Sequence, residues 1–241
     1  MTQSLLMVGV FAPRMGLDLV RSKQIKLQLA RGACMMIASL FFVLSLHFNV
    51  PVGEATAVVF LSPLLVTWFS GRVLKEKINT GQWVAIACGL LGVLVIVRPG
   101  SALFTAPILF PFFSSIAVGA FQLLTRQVVK TDHIIATNFM TGLFCTVVMS
   151  AIVLYFWQTP TLLDALIMMA GGSIAMVGHV ILTYAYRQAS VVTLAPFSYA
   201  QIVFAALVAY LFFGHMPDQM TLVGMVIIIA SGVGLILWQR R

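Results

Sequence analysis

The stretch G-E-A-T-A-V-V-F-L-S-P-L-L-V-T-W-F-S-G-R-V-L-K-E-K-I-N-T-G-Q-W-V-A-I-A-C-G-L-L-G-V-L-V-I-V-R, residues 53–98, decides the fold. Two uncharged runs, 55–71 and 78–97, flank a turn that carries Arg72, Lys75, Glu76 and Lys77. A helix needs about 20 apolar residues to cross a hydrocarbon core, so each run reads as one membrane crossing. Pro63 lies inside the first run, where it removes a backbone donor and predicts a kinked helix. Outward from this stretch the pattern continues in both directions. Further uncharged runs cover 32–53, 99–125, 133–163, 165–186, 188–217 and 219–239. The expected fold is therefore all-α, a polytopic membrane helix bundle with eight full transmembrane helices.

Composition agrees. Of the 241 residues 61% are hydrophobic and 8% charged, with a mean hydropathy of +1.06. Soluble chains run near about 25% charged, which excludes a soluble enzyme, a disordered tail, a coiled coil or a nucleic-acid-binding module. Before the eight runs lies the uncharged segment Met1–Pro13, too short to span. It lacks the basic region that begins a signal peptide and is apolar all round, so it reads as an N-terminal stub, the end of a broken-off helix. Cys34, Cys88 and Cys145 sit singly in apolar runs and indicate neither disulfides nor a metal site.

Alternating the loops between two sides gives one side Arg14, Arg21, Lys23, Lys26, Arg31, Arg72, Lys75, Lys77, Arg126, Lys130, Arg187, Arg240 and Arg241, and leaves only Arg98 on the other. The net charge of +8 is thus a topology signal. The positive-inside rule places the first basic segment and the C-terminus in the cytoplasm and makes the number of crossings even. Trp83, Trp157 and Trp238 near run ends, and Trp68 near a cytoplasmic end, fit an aromatic belt.

The 53–98 pattern returns at 190–240. There V-T-L-A-P-F-S-Y-A-Q-I-V-F-A is followed by F-F-G-H-M-P-D and by T-L-V-G-M-V-I-I-I-A-S-G-V-G-L. Both stretches are a helix, a short polar turn and a glycine-punctuated helix. By the charge assignment one turn is cytoplasmic and the other (214–218) external, so the copies are expected to be inverted in the membrane. Inverted repeats of this kind let a midplane site face each side in turn, which points to a transporter. Gly81, Ala85, Gly89 and Gly92, and Gly224, Ser231 and Gly232, read as helix-packing seams.

The motifs A-R-G (30–32), P-V-G-E-A-T-A (51–57), S-P-L-L-V (62–66), G-V-L-V-I-V-R-P-G (92–100), L-A-P-F-S-Y-A-Q (194–201) and F-G-H-M-P-D together resemble the EamA family of the drug/metabolite transporter superfamily. The resemblance implies ten helices in two inverted five-helix repeats, both termini cytoplasmic, and export or uptake of small metabolites across a bacterial inner membrane. Residues 1–98 would be a first repeat lacking its first helix and part of its second, and 99–241 the second repeat. A start codon assigned too late, or a shortened and inactive or noncatalytic membrane subunit, would each account for the difference. The second copy has His215 where the family usually has a Glu after F-G, while the first keeps Glu76.

Ionisable groups within lipid are functional candidates because they are costly there. His179, near the middle of 165–186, and Glu54, at the external mouth of 55–71, are the candidates for proton coupling. Their bland readings are an imidazole bonded to a neighbouring helix and a carboxylate capping a helix N-terminus. Ser198, Tyr199 and Gln201, within one turn after Pro196, are the best substrate-binding cluster, with Gln122, Asn138 and Thr183 as further candidates. Singly, each reads more simply as an interhelical hydrogen bond. Arg126 and Arg187 read as snorkelling anchors.

No Walker A motif is present, so a gradient rather than ATP would drive transport. No H-E-x-x-H, G-x-S-x-G or facing pair of acids supports an enzyme. No cofactor, metal or nucleic acid is expected. The partners would be a small-molecule metabolite, the bilayer and, as one option, a second copy in a homodimer.

Overall fold

The computed structural model describes residues 2–50, 52–75, 77–97, 106–154, 159–213 and 219–239. Among them there is no strand; eleven α-helices follow one another along the chain. These are α1 (Thr2–Met15), α2 (Ile25–His47), α3 (Val52–Val59), α4 (Ser62–Val73), α5 (Thr80–Val97), α6 (Leu109–Val128), α7 (Ile134–Val153), α8 (Leu162–Gln188), α9 (Val191–Leu194), α10 (Ala200–Phe213) and α11 (Gln219–Gln239). Five segments are long and apolar enough to cross a membrane: Ile25–His47, Ala106–Val128, Ile134–Val153, Leu162–Gln188 and Gln219–Trp238. The remaining uncharged runs are shorter or broken helices, and the breaks have causes in the sequence.

Helix α3 ends at Val59, and α4 starts with Ser62 and Pro63 in its first turn, where proline's missing N–H leaves no bond unmade. The kink expected at Pro63 falls at Phe60 and Leu61, where the backbone stays helical but the Leu61 N–H donates to the Val58 carbonyl instead of continuing the α-helical pattern. The run 188–217 breaks in the same manner: α9 gives way to a 3₁₀ turn, Ala195–Tyr199, with Pro196 at its start, before α10 begins. At the end of α2, Asn49 takes a left-handed φ of 61°. Its N–H donates to the Leu46 carbonyl and the Val50 N–H to that of Ser45, the Schellman arrangement that closes a helix. The first long run therefore stops at His47 rather than at Gly53. Helix α8 opens on a capping box in which Thr161 and Asp164 each satisfy the other's N–H.

The chain packs as two compact units, and each takes segments from both halves of the sequence. The first contains residues 1–36 and 124–189. In it the stub forms helix α1, packed on α7 and α8. Met7 is buried with Leu19 and Phe139, and Ser4 shares a hydroxyl–hydroxyl bond of 3.1 Å with Thr146. Small residues make room for it, since a Cβ at Gly142 would press on Ser4 and one at Gly172 on Thr2.

The second unit contains residues 37–123 and 190–241. Its spine is the pair α5 and α11. Ring atoms of Trp238 pack on Gly81, Ile228 on Gly92 and Ile96 on Gly224, so the pair runs antiparallel. At the crossing a Cβ on Gly92 would stand 2.8 Å from the Gly224 carbonyl oxygen, and one on Gly224 2.7 Å from that of Gly92. Only hydrogen fits at either position, so of the stripes read from the sequence Gly92 and Gly224 form a backbone seam, while Gly81 and Gly89 lie under the rings of Trp238 and Tyr199. An Asn79–Gln82 capping box, with bonds of 2.8 and 3.0 Å, starts α5.

Candidate functional site

Each unit has one polar feature that its apolar surroundings do not explain. In the first unit it is Arg31. The guanidinium is 1% exposed, inside α2, and donates from Nε to Thr125 Oγ1 (2.7 Å) and from Nη1 to the Thr137 carbonyl (2.7 Å) and Thr141 Oγ1. Its Nη2 reaches Asn138 Oδ1 at 3.4 Å. These acceptors are all neutral oxygens. Asn138 Oδ1 also accepts from Thr183 Oγ1 (3.0 Å), while its Nδ2 donates to the Ile134 carbonyl (3.0 Å). The single Thr183 hydroxyl proton is shared between Asn138 Oδ1 and the carbonyl of His179, 2.7 Å away. Three candidates, Asn138, Thr183 and His179, thus meet around one buried cation. The polar atoms of Asn138 and Thr183 are directed at Arg31, at each other and at the helix backbone, and the His179 side chain is half-buried beside them on α8.

One turn away stands a second network, this one centred on a carboxylate. Asp132 accepts from Ser22 Oγ, from the Lys23 N–H (3.0 Å), from Gln28 Nε2 (3.0 Å) and from Thr131 Oγ1 (3.2 Å). Burial pushes this carboxyl up, but the four donors outweigh it and hold Asp132 below the ordinary carboxylate range. Gln28 bridges onward to Thr137 Oγ1 at 3.2 Å, so both networks share the start of α7.

In the second unit the feature is Tyr199. It ends the 3₁₀ turn between α9 and α10, is fully buried, and packs with Phe60, Val93 and Ile228. Its ring lies on Gly89, where a Cβ would run into it, and 5.9 Å from the ring of Phe60. Its hydroxyl has no hydrogen-bond partner among the described residues. Buried phenols almost always find one, so this atom stands out. Phe60 sits at the break between α3 and α4, so the two broken helices meet at these two rings.

The other candidates do not gather there. Ser198 is half-buried and Gln201 exposed, while Tyr199 between them points into the core, so the turn does not present all three on one face. Gln122 is buried on α6 and belongs to the second unit, whereas Asn138 and Thr183 belong to the first. Glu54 lies on α3, and its side chain is outside the described residues, as are Glu76, Arg98, Trp157, His215, Arg240 and Arg241.

Arg31 is the residue the sequence reading missed. As the last charge before an uncharged run, it counted as a loop residue and a topology marker. Its neighbours were visible as midspan Asn and Thr, but nothing local says that residues 94 to 110 positions downstream supply its acceptors. Arg126 was read as an anchor and has a more specific task. Its Nη1 donates to the carbonyls of Tyr186 (2.6 Å) and Arg187 (3.1 Å), capping the end of α8. Among the described residues no group of three His, Cys, Asp or Glu side chains could hold a metal ion.

Comparison with known proteins places this geometry. The model of the EamA-like transporter family matches residues 1–98 and 105–238. The chain is 27% identical over 195 residues to an S-adenosylmethionine uptake transporter of Rickettsia prowazekii, covering 79% of this chain and 65% of that one. It is 24% identical over 223 residues to a riboflavin transporter of Vibrio cholerae (92% and 75%), and 26% identical over 189 residues to a pseudopaline exporter of Pseudomonas aeruginosa (78% and 66%). The chain thus spans about two thirds of the length of several curated relatives. One crystal structure superimposes with a TM-score of 0.86 at 17% identity, over 100% of this chain and 86% of its own, a likeness of fold alone.

Proposed function

The chain belongs to the EamA-like transporter family, whose members move solutes rather than catalyse reactions, and from this we propose that it carries a small organic metabolite across the membrane by alternating access. The observation that carries this reading is the pair of broken helices. Short or proline-interrupted apolar segments at corresponding positions of two repeats are the strongest pointer to a transporter's binding site, because they bring free backbone and polar side chains to midplane depth. Here the breaks at Phe60–Leu61 and Ala195–Tyr199 fall at corresponding places in the two copies, and they touch through Phe60 and Tyr199. The family match over 1–98 and 105–238 supports a division into repeats at 1–98 and 99–241. Eight crossings with a cytoplasmic C-terminus is the arrangement that the charge distribution supports.

Tyr199 is the central substrate-binding residue of this proposal. Its unpartnered hydroxyl lies beside the breaks and is available to a solute once the ring leaves Gly89. Ser198 and Gln201 flank it in more accessible positions. Gln122, in the same unit, joins this set, while Asn138 and Thr183 belong to the Arg31 network of the other unit, and His179 and Glu54 are the groups proposed to carry a coupling proton. Several relatives are named for S-adenosylmethionine uptake, so that compound is the first substrate to test, with riboflavin second.

The test uses uptake into proteoliposomes. Tyr199→Phe keeps the ring on Gly89 and removes only the hydroxyl. If the hydroxyl binds solute, flux falls about 2- to 10-fold, the value of one hydrogen bond. Thermal stability rises at the same time, because a buried unsatisfied group has been removed. A stability gain with unchanged flux eliminates Tyr199 from the site. His179→Gln, under an imposed pH gradient, should remove the pH dependence of flux if the imidazole couples a proton.

A further inference from the structure

We propose that the cavity between residues 14–25 and 131–133 binds the phosphate-bearing headgroup of an anionic phospholipid. The cavity, of about 850 Å³, is lined by Arg14, Arg21 and Lys23, with Asp18, Asp132 and His133. Four helix ends surround it. Helix α1 stops at Met15, α2 starts at Ile25, α6 stops at Val128 and α7 starts at Ile134, and three of these are the apolar segments long enough to cross a bilayer. It therefore lies where those segments leave the hydrocarbon and the headgroups begin.

Both carboxylates are already engaged. Asp18 is bonded to Arg21 at 3.0 Å, and the oxygens of Asp132 are taken by Ser22, Lys23 N–H, Gln28 and Thr131. Three cations, Arg14, Arg21 and Lys23, thus line the cavity against two occupied carboxylates, and Arg14 and Lys23 are exposed. A free phosphate and a lipid headgroup share the charge that this arrangement attracts. The apolar rim favours the lipid: Val20 and Ile25 line the cavity and are exposed, and Leu17 beside them is 73% exposed. A small soluble anion would leave that surface uncovered, whereas the acyl chains below a headgroup cover it.

The full chain would be reconstituted in phosphatidylcholine vesicles containing a minor fraction of phosphatidylglycerol, and lipid retained after detergent extraction would be counted by native mass spectrometry. Each basic residue near a membrane surface contributes about fivefold to anionic-lipid binding, so Arg14→Gln/Lys23→Gln should lower retained phosphatidylglycerol by about 25-fold. Lys77→Gln/Arg187→Gln, with the same change in net charge elsewhere, should retain it. Arg14→Lys, which keeps the charge, should retain most of the phosphatidylglycerol that Arg14→Gln alone loses, and thermal unfolding reports whether each variant is folded. Equal loss in both double variants, or none in either, overturns the site. Displacement of the lipid by inorganic phosphate overturns the assignment to a lipid.

Discussion

The two packing units solve one problem in opposite ways. The first holds α2, α6, α7 and α8 together through polar groups: Arg31, Asn138, Thr183 and the Asp132 network bond across long sequence distances. The second holds α5 against α11 through the absence of side chains, with Gly92 and Gly224 meeting at their carbonyls. In a membrane the hydrophobic effect does not drive helices together, so hydrogen bonds and close backbone approach are the two available means. The chain uses one in each unit, and the proposed working part, the pair of broken helices, belongs to the unit without the polar lock.

The largest expected effect breaks the first arrangement. Arg31→Ala removes the buried bonds to Thr125 Oγ1, the Thr137 carbonyl and Thr141 Oγ1, each worth about 1.5–3 kcal/mol as a hydrogen bond to a charged group. Unfolding in mixed micelles should show a loss of at least about 3 kcal/mol, with Arg31→Lys intermediate because a point cation cannot fork among the acceptors. A loss below about 1 kcal/mol would mean that the unit is held by packing after all.

The second unit is tested by overpacking. Gly92→Leu places a side chain against the Gly224 backbone and should cost about 2 kcal/mol, while Gly234→Ala, with nothing within 4 Å, should stay within about 0.5 kcal/mol. Similar effects at the two positions would remove the seam as the cause.

The smallest effect sharpens the comparison through pH. Because Asp132 is held below its ordinary range, it stabilises the first unit above about pH 4, and this contribution is lost as pH falls through its folded value. Acid titration of stability should therefore show a step that Asp132→Asn lacks, with about 1 kcal/mol lost by that variant at neutral pH. An unchanged acid step would assign it to another carboxylate.

These residues also mark how far sequence can be read. The bend at Pro63 and the glycine seams follow from local chemistry and were legible, whereas the 3₁₀ turn opened by Pro196 was not read. Helix ends were legible to within the effect of charges. A scan for uncharged runs started the first long helix at Gly32, yet it starts at Ile25, because Lys26 stays exposed while Arg31 is bonded by distant partners. The same scan ended it too late, since Asn49 stops the helix by backbone geometry rather than polarity. Spacing alone put Ser198, Tyr199 and Gln201 in one cluster, but the 3₁₀ turn sends Tyr199 inward and leaves Gln201 outside.

Arg31 also sets a schedule for the ribosome. Its bonded carbonyl, that of Thr137, is made 106 residues later. At about 5–20 residues per second the guanidinium waits roughly 5–20 s for that acceptor during synthesis. Through that interval its long stem can keep the charge at the water interface, and α2 should reach its final depth only once α7 has been made.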